Sequence, residues 1–201
     1  MVTVVFNPTS SSQAARNANL VVTAGGLSQT VSLTGHDSIA VIGTSPTTQT
    51  TPLLTTTPAN TVAETGTITV ANMSTQCLAL PCGAPPPPPP GFGAGPAPSV
   101  DAGPIIPTAI TLTRLTGTGT WTLGGTCAVG TAINPGIAAV TTTTPPSPAV
   151  PKGTCTITAT YTPPAGAIGG ALNGSARLIV TGYGTAAAAA TPLINRVINA
   201  N

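Results

Sequence analysis

Four cysteines are the residues of this sequence best suited to covalent or metal chemistry: Cys77, Cys82, Cys127 and Cys155. An even number of cysteines in a chain with almost no charge favours disulfides and an oxidising compartment. Three pairings are open, and the short interval between Cys77 and Cys82 favours a bond between those two. Zinc ligation and free thiols are the alternatives, but the sequence has no C-x-x-C spacing and only one histidine.

That histidine, His36, is followed by Asp37, which raises the question of a Ser-His-Asp triad. Neighbouring side chains on an extended chain point to opposite faces, so this pair is poorly placed for one. The sequence also has no G-x-S-x-G motif for a nucleophilic serine. We expect His36 to be a solvated turn residue.

The three acidic residues, Asp37, Glu64 and Asp101, are too dispersed to predict an active site. A glycosidase needs two carboxylates about 5–10 Å apart, and a calcium site needs several oxygen ligands. General acid–base catalysis depends on His, Asp, Glu and Lys, all of which are scarce here. We therefore predict that the chain is not an enzyme and has no catalytic residue, cofactor site or metal site.

Charge is nearly absent, with five basic and three acidic residues among 201 and a formal net charge of +2. About a quarter of the residues in a typical soluble domain are charged. So small a positive balance does not suit a nucleic-acid-binding protein. It also leaves little repulsion between copies. We expect other copies of the chain as partners, with a cell-surface or capsid scaffold as a further partner, and no nucleic acid.

No apolar run reaches the roughly 18 residues of a membrane-spanning helix, so we expect no membrane span. The segment from Met1 to Pro8 has neither a basic region nor an apolar core, so it does not resemble a secretory signal. Either a signal has been removed or the protein leaves the cell by another route, as virion components do. We expect an extracellular, cell-surface or virion location.

Short runs that alternate apolar residues with threonine, bounded by Gly, Pro or Asn, dominate the sequence. Such runs are typical of antiparallel strands in a β-sandwich. The high Gly and Pro content would also fit disorder, but the chain is apolar on average and rich in β-branched residues. We predict an all-β fold, and we expect strands at residues 2–6, 19–23, 30–34, 65–72, 108–116, 119–123, 154–162 and 176–182.

Segments rich in Pro, Thr or Gly separate these strands. Residues 36–60 are predicted to be a Thr/Pro linker, and residues 74–107 an insertion within a domain that spans 61–185. In that insertion the run from Pro85 to Pro90 favours a rigid polyproline II arm, and Phe92 follows it. A second Thr/Pro loop spans 140–152. The C-terminal tail, 186–201, is predicted to form either a final strand or a short helical turn.

An internal similarity links the two ends of the chain. Phe6-Asn7-Pro8 followed by Ala18-Asn19-Leu20-Val21-Val22-Thr23 parallels Tyr161-Thr162-Pro163 followed by Ala176-Arg177-Leu178-Ile179-Val180-Thr181. Residues 1–35 therefore look like the C-terminal part of a sandwich, of which 61–185 form a more complete version.

A set of short motifs resembles the bacterial Ig-like repeats related to abnormal-spindle/Hydin domains, which occur in large choice-of-anchor surface proteins. The motifs are Gly125-Thr126-Cys127-x-x-Gly130-Thr131, Asn134-Pro135-Gly136, Gly153-Thr154-Cys155-Thr156-Ile157, Tyr161-Thr162-Pro163 and Ser175-Ala176-x-Leu178. The resemblance covers about 61–185, with a partial copy at 1–35, and it implies an Ig-like antiparallel sandwich without catalytic residues. It also favours a Cys127–Cys155 disulfide, since both cysteines belong to strands of the repeat. The insertions 137–151 and 77–107 depart from the family pattern.

Three strands cannot form a stable sandwich alone, so the N-terminal set is predicted to be a strand donor that completes or augments a neighbour. We predict contacts with other copies through residues of that set and of the proline-rich insertion. These residues are Val2, Val4, Phe6, Leu20, Val22, Val31, Leu33, Pro85, Pro90 and Phe92. The leading hypothesis is a structural subunit of a filament, surface layer or virion surface. An adhesin or carbohydrate-binding module that uses the long loops is the alternative.

Overall fold

The computed structural model describes residues 16–35, 40–46, 63–142, 146–166, 173–184 and 192–200. Within these ranges the chain is all-β, with eleven strands and no helix. The strands are β1 (Arg16–Ala24), β2 (Leu27–Gly35), β3 (Ile42–Ser45), β4 (Glu64–Asn72), β5 (Thr75–Gln76), β6 (Ile106–Thr116), β7 (Thr120–Gly125), β8 (Gly136–Ile137), β9 (Thr154–Thr162), β10 (Gly174–Tyr183) and β11 (Ile194–Ala200).

Two antiparallel sheets form the body of the molecule. One has the order β3-β4-β9-β7, and the other has the order β11-β10-β6. The remaining strands form two smaller sheets, the antiparallel pair β1-β2 and the short parallel pair β5-β8.

Strand β9 illustrates why this sequence forms strands. Cys155, Ile157, Ala159 and Tyr161 alternate with threonines, and all four are buried on one face. The threonines line the other face, where the hydroxyls of Thr65 and Thr160 hydrogen-bond across β4 and β9 at 2.7 Å. The period of two in the sequence thus becomes one apolar and one polar face.

A single aliphatic core joins the two large sheets. Its buried side chains come mainly from β4, β9, β10 and β11, and they include Ile68, Ile157, Leu178 and Ile198, with Ile105 and Ile133 added from the connecting segments. Burial of each such side chain contributes about 1.5–3 kcal/mol. Branched aliphatic side chains therefore fill the core in place of aromatic ones.

The one large aromatic side chain buried among the described residues is Tyr161. Its hydroxyl donates a hydrogen bond to the carbonyl of Asn173 at 3.3 Å, and its ring centroid lies 4.9 Å from that of Trp121. Gly119 and Gly174 lie directly against the ring, so that an added Cβ would come within 2.5 and 2.7 Å of it, respectively. Glycine is required at these two positions by close approach.

One region differs from the sequence-based expectation, and a second resolves an alternative that the sequence left open. Residues 36–60, expected to be a linker, contain β3, because Ala40 is buried in the core, Ile42 packs against it, and β3 pairs with β4. The tail 186–201 contains β11, which lies against β10 and buries Ile194 and Ile198. The strand alternative for the tail is therefore correct, and both regions supply edge strands of the sandwich.

Candidate interaction surfaces

The hairpin β1/β2 forms a sheet of its own, paired with no other strand of the described chain. The predicted turn is present at Gly25-Gly26, where the φ angles are +60° and +81°. Positive φ at both central residues is typical of a type I′ hairpin turn, and glycine adopts it without steric cost.

The two faces of this hairpin differ in character. The register pairs Ala18 with Leu33, Leu20 with Val31, Val22 with Gln29 and Ala24 with Leu27, so these residues share one face. We call this set the apolar hairpin face. Gln29 is the one polar residue of these eight, and the terminal pair of the hairpin, Arg16 and Gly35, falls at the end of the same face by register.

The opposite face of the hairpin is largely polar and internally hydrogen-bonded. The Ser32 hydroxyl donates to the Asn19 side-chain oxygen at 3.3 Å, and the hydroxyls of Thr23 and Ser28 are 3.3 Å apart. Only Val21 interrupts this pattern, opposite Thr30. The hairpin is therefore amphipathic.

The structure brings four of the expected contact residues together. Leu20, Val22, Val31 and Leu33 all lie on the apolar hairpin face. Val22 and Val31 are 47% and 49% exposed, and Leu20 and Leu33 are partly buried. The other three predicted contacts of this set, Val2, Val4 and Phe6, fall outside the described residues, as do His36 and Asp37.

Contacts with other copies were predicted for the proline-rich insertion, and within the described chain this insertion packs against its own sandwich. Pro86 is buried, and the amide of Ala139 donates to the carbonyl of Ala84 at 3.1 Å. Phe92 is half-buried over Gly43. Pro85 and Pro90 are exposed and remain available for contacts. The arm is held because Pro86 is buried against Gly136 and Lys152, and because Ala84 is hydrogen-bonded to Ala139.

Lys152 holds the polyproline arm in place through a hydrogen bond. Only 8% of the residue is exposed, and its ammonium group donates to the carbonyl of Pro86 at 3.3 Å. Desolvation by burial lowers the pKa of Lys152 from its ordinary value of 10.5. A lysine is thus used here as a structural donor rather than as a surface charge.

The two long insertions meet through backbone hydrogen bonds. β5 pairs with β8, and the amide of Ala138 donates to the carbonyl of Gln76 at 2.8 Å. Ile137 and Val150 exchange backbone hydrogen bonds, closing the second insertion on itself. The insertions therefore form one connected surface.

An open cleft of about 880 Å³ lies between the insertions. Gln76, Asp101 and Asn134 supply its polar side chains, and valine, isoleucine and proline supply its apolar walls. The long loops were predicted to serve an adhesin or carbohydrate-binding module, but Gln76 and Asn134 were not predicted as binding residues. The only available signal was the departure of both insertions from the repeat pattern.

The four cysteines form the two disulfides that the sequence favoured. Cys77 is bonded to Cys82, and Cys127 to Cys155. The second bond ties the segment after β7 to the neighbouring strand β9, with a Cα–Cα distance of 4.9 Å. The first closes a short loop at the start of the proline-rich insertion. Both bonds fit an oxidising environment.

Across the described ranges, no three His, Cys, Asp or Glu side chains cluster as metal ligands do. None of the described segments forms a helix long and apolar enough to cross a membrane.

Comparisons with known proteins provide no relative for this chain. No family model matches it, and no curated protein or solved structure is significantly similar to it.

Proposed function

We propose that this chain is a non-enzymatic structural subunit of an extracellular or virion-surface assembly, such as a filament, a surface layer or a capsid or tail decoration. The observation that supports this function is the amphipathic hairpin β1/β2, which pairs with no other strand of the described chain and whose apolar face is exposed at Val22, Leu27 and Val31. A two-stranded hairpin is marginally stable alone in water. A partner that covers its apolar face would stabilise both the hairpin and the assembly.

The near absence of charge supports the same proposal. Charged side chains on edge strands normally prevent unwanted pairing between sheets. Edge strand β7 (Thr120–Gly125) has none, and β6 has only Arg114. Free edges of this kind can pair with strands of other copies. The proposed self-association therefore uses β-strands, with the hairpin as its main element.

The two disulfides support an oxidising location, which in this proposal is the cell exterior or a virion. The strand order supports the resemblance to Ig-like repeats. β3-β4-β9-β7 and β11-β10-β6 reproduce the A-B-E-D and G-F-C orders of constant-type Ig domains. The position of the disulfide differs from that in antibody domains. Cys127–Cys155 links neighbouring parts of one sheet, whereas the antibody disulfide bridges the two sheets.

The test of the proposed function is electron microscopy of the full-length purified protein, combined with sedimentation velocity. The proposal predicts filaments, sheets or discrete multimeric particles. A protein that stays monomeric at every concentration and salt condition would contradict it.

The cleft between the insertions favours a second candidate function, that of an adhesin or carbohydrate-binding module. Carboxylate and amide side chains such as Asp101, Gln76 and Asn134 can hydrogen-bond to hydroxyl groups of a ligand, and the apolar walls can exclude water. Glycan-array binding that is lost in Asn134→Ala would favour this function. Clear polymer formation without array binding would favour the structural subunit.

A further inference from the structure

We propose that the apolar hairpin face docks onto the same face of a second copy of the chain, so that two hairpins pack face to face about a two-fold axis. This inference rests on the proposed function and names one specific contact of the assembly.

The chemistry of the face limits what can cover it. Seven of its eight residues are Ala, Val or Leu, and Gln29 is the exception. Burying a charged group against such a surface would cost free energy without compensation. Over these eight residues an aliphatic covering surface therefore fits best, with the Arg16–Gly35 pair at the open end of the hairpin marking the edge of the contact.

A second copy offers such a surface in one place. Elsewhere in the described ranges, the exposed large apolar side chains are dispersed over separate elements, such as Leu80 in the Cys77–Cys82 loop, Leu115 on β6 and Val129 after β7. On the apolar hairpin face they are continuous across two paired strands. The aliphatic sheet surface that a copy presents is thus the hairpin face itself, which makes the contact isologous.

The hairpin β10/β11 shows how this residue pattern packs. Ala18 and Leu20 on β1 correspond in the sequence repeat to Ala176 and Leu178 on β10. The first pair agrees in register, since Ala18 lies opposite Leu33 and Ala176 lies opposite Ile198, whereas Leu20 lies opposite Val31 and Leu178 lies opposite Arg196. In β10/β11 the side chains of Ala176, Leu178 and Ile198 are buried beneath a facing sheet. Two β1/β2 hairpins would form the same kind of two-layer arrangement, with their sheets about 10 Å apart.

The size of the face predicts a weak dimer. Strands of nine residues extend about 30 Å. Two such faces together bury on the order of 1,000 Å², near the lower limit for a specific interface. A dissociation constant in the micromolar range is expected. An isologous pair is closed, so this contact alone gives a dimer, and any larger assembly would be built from such dimers.

Adjacent valines of β1 supply a matched test. Val22 lies on the apolar hairpin face and is 47% exposed, whereas Val21 lies on the opposite face and is 55% exposed. Sedimentation equilibrium of the full chain over a wide concentration range is compared for wild type, Val22→Asp and Val21→Asp. The proposal predicts that Val22→Asp raises the dimer dissociation constant by more than about tenfold and that Val21→Asp changes it less than about twofold.

A second pair of variants distinguishes an effect on docking from an effect on hairpin formation. Val22→Thr and Val21→Thr keep a β-branched residue, which preserves strand propensity. Val22→Thr should still weaken the dimer several-fold more than Val21→Thr does.

Equal effects at the two positions would overturn the proposed contact. If wild type forms larger assemblies that neither Val22 variant weakens, the contact lies elsewhere and the proposed function survives. If wild type is monomeric throughout, both the contact and the proposed function are wrong.

Discussion

Leu20 on β1 and Leu178 on β10 lie at equivalent positions of two strands that share an Ala-x-Leu-aliphatic-Val-Thr pattern, but only Leu178 is fully buried. Leu178 faces the core between the two large sheets, whereas Leu20 belongs to the apolar hairpin face. The same local sequence is therefore used once inside the sandwich and once outside it. This difference is the structural basis of the proposed self-association.

Truncation of these two leucines should have unequal effects on the stability of the sandwich. Leu178→Ala is expected to lower the free energy of unfolding by about 2–5 kcal/mol, because it leaves a cavity in a close-packed core. Leu20→Ala should change it by less than about 0.5 kcal/mol. Urea unfolding followed by Trp121 fluorescence at low protein concentration measures both. Equal losses would contradict the separation of hairpin and sandwich.

The contact between Gly119 and the Tyr161 ring should be intolerant of an added methyl group. A Cβ at Gly119 would lie 2.5 Å from the buried Tyr161 ring and 2.6 Å from the backbone carbonyl oxygen of Thr162. Gly119→Ala is expected to destabilise the protein by about 1–3 kcal/mol. Gly93→Ala is the matched control, since nothing lies within 4 Å of its Cβ position. Thermal unfolding of both variants tests the prediction, and a normal Tm for Gly119→Ala would refute it.

The two disulfides should contribute unequally to the stability of the folded protein. Cys127–Cys155 spans 28 residues and Cys77–Cys82 spans five. In the chain-entropy model the longer loop is restricted more strongly, which gives about 3–4 kcal/mol for Cys127–Cys155. Replacing Cys127 and Cys155 together by serine should therefore lower the Tm more than replacing Cys77 and Cys82. The opposite order in calorimetry would show that the short loop matters more for the fold.

Because Lys152 is buried, we expect the free energy of unfolding to rise with pH in the alkaline range. Its pKa is lowered in the folded protein by desolvation, so between that pKa and the ordinary 10.5 the unfolded chain binds more protons. The free energy of unfolding then increases with pH in this window. Denaturant titrations at neutral pH and near pH 10 should show this gain relative to Lys152→Met. The same pH response in both proteins would assign the gain to another group.

The sandwich strands were largely predictable because they alternate. Strand β9 was predicted at 154–162 and is found at Thr154–Thr162, since threonine and buried aliphatic residues alternate along its whole length. β3 was missed because Ile42–Ser45 is short and is followed by proline. Only tertiary pairing with β4 makes it a strand, and the local sequence does not contain that information.

The interaction surfaces were less predictable than the strands. The four hairpin residues from Leu20 to Leu33 were identified because a period of two is visible in the sequence. The cleft was not, because Gln76 and Asn134 are far apart in the chain and meet only through the pairing of β5 with β8. The path of the proline arm was also missed, because a polyproline run specifies stiffness but not what it packs against.

Deletion of residues 1–35 tests the central claim most directly, since the hairpin β1/β2 shares no sheet with the sandwich. Sedimentation velocity and electron microscopy would compare the full chain with residues 36–201, and circular dichroism would verify that the shorter chain is folded. The account predicts that the full chain assembles and that the shorter chain is folded and monomeric. A folded shorter chain that still assembles would contradict it.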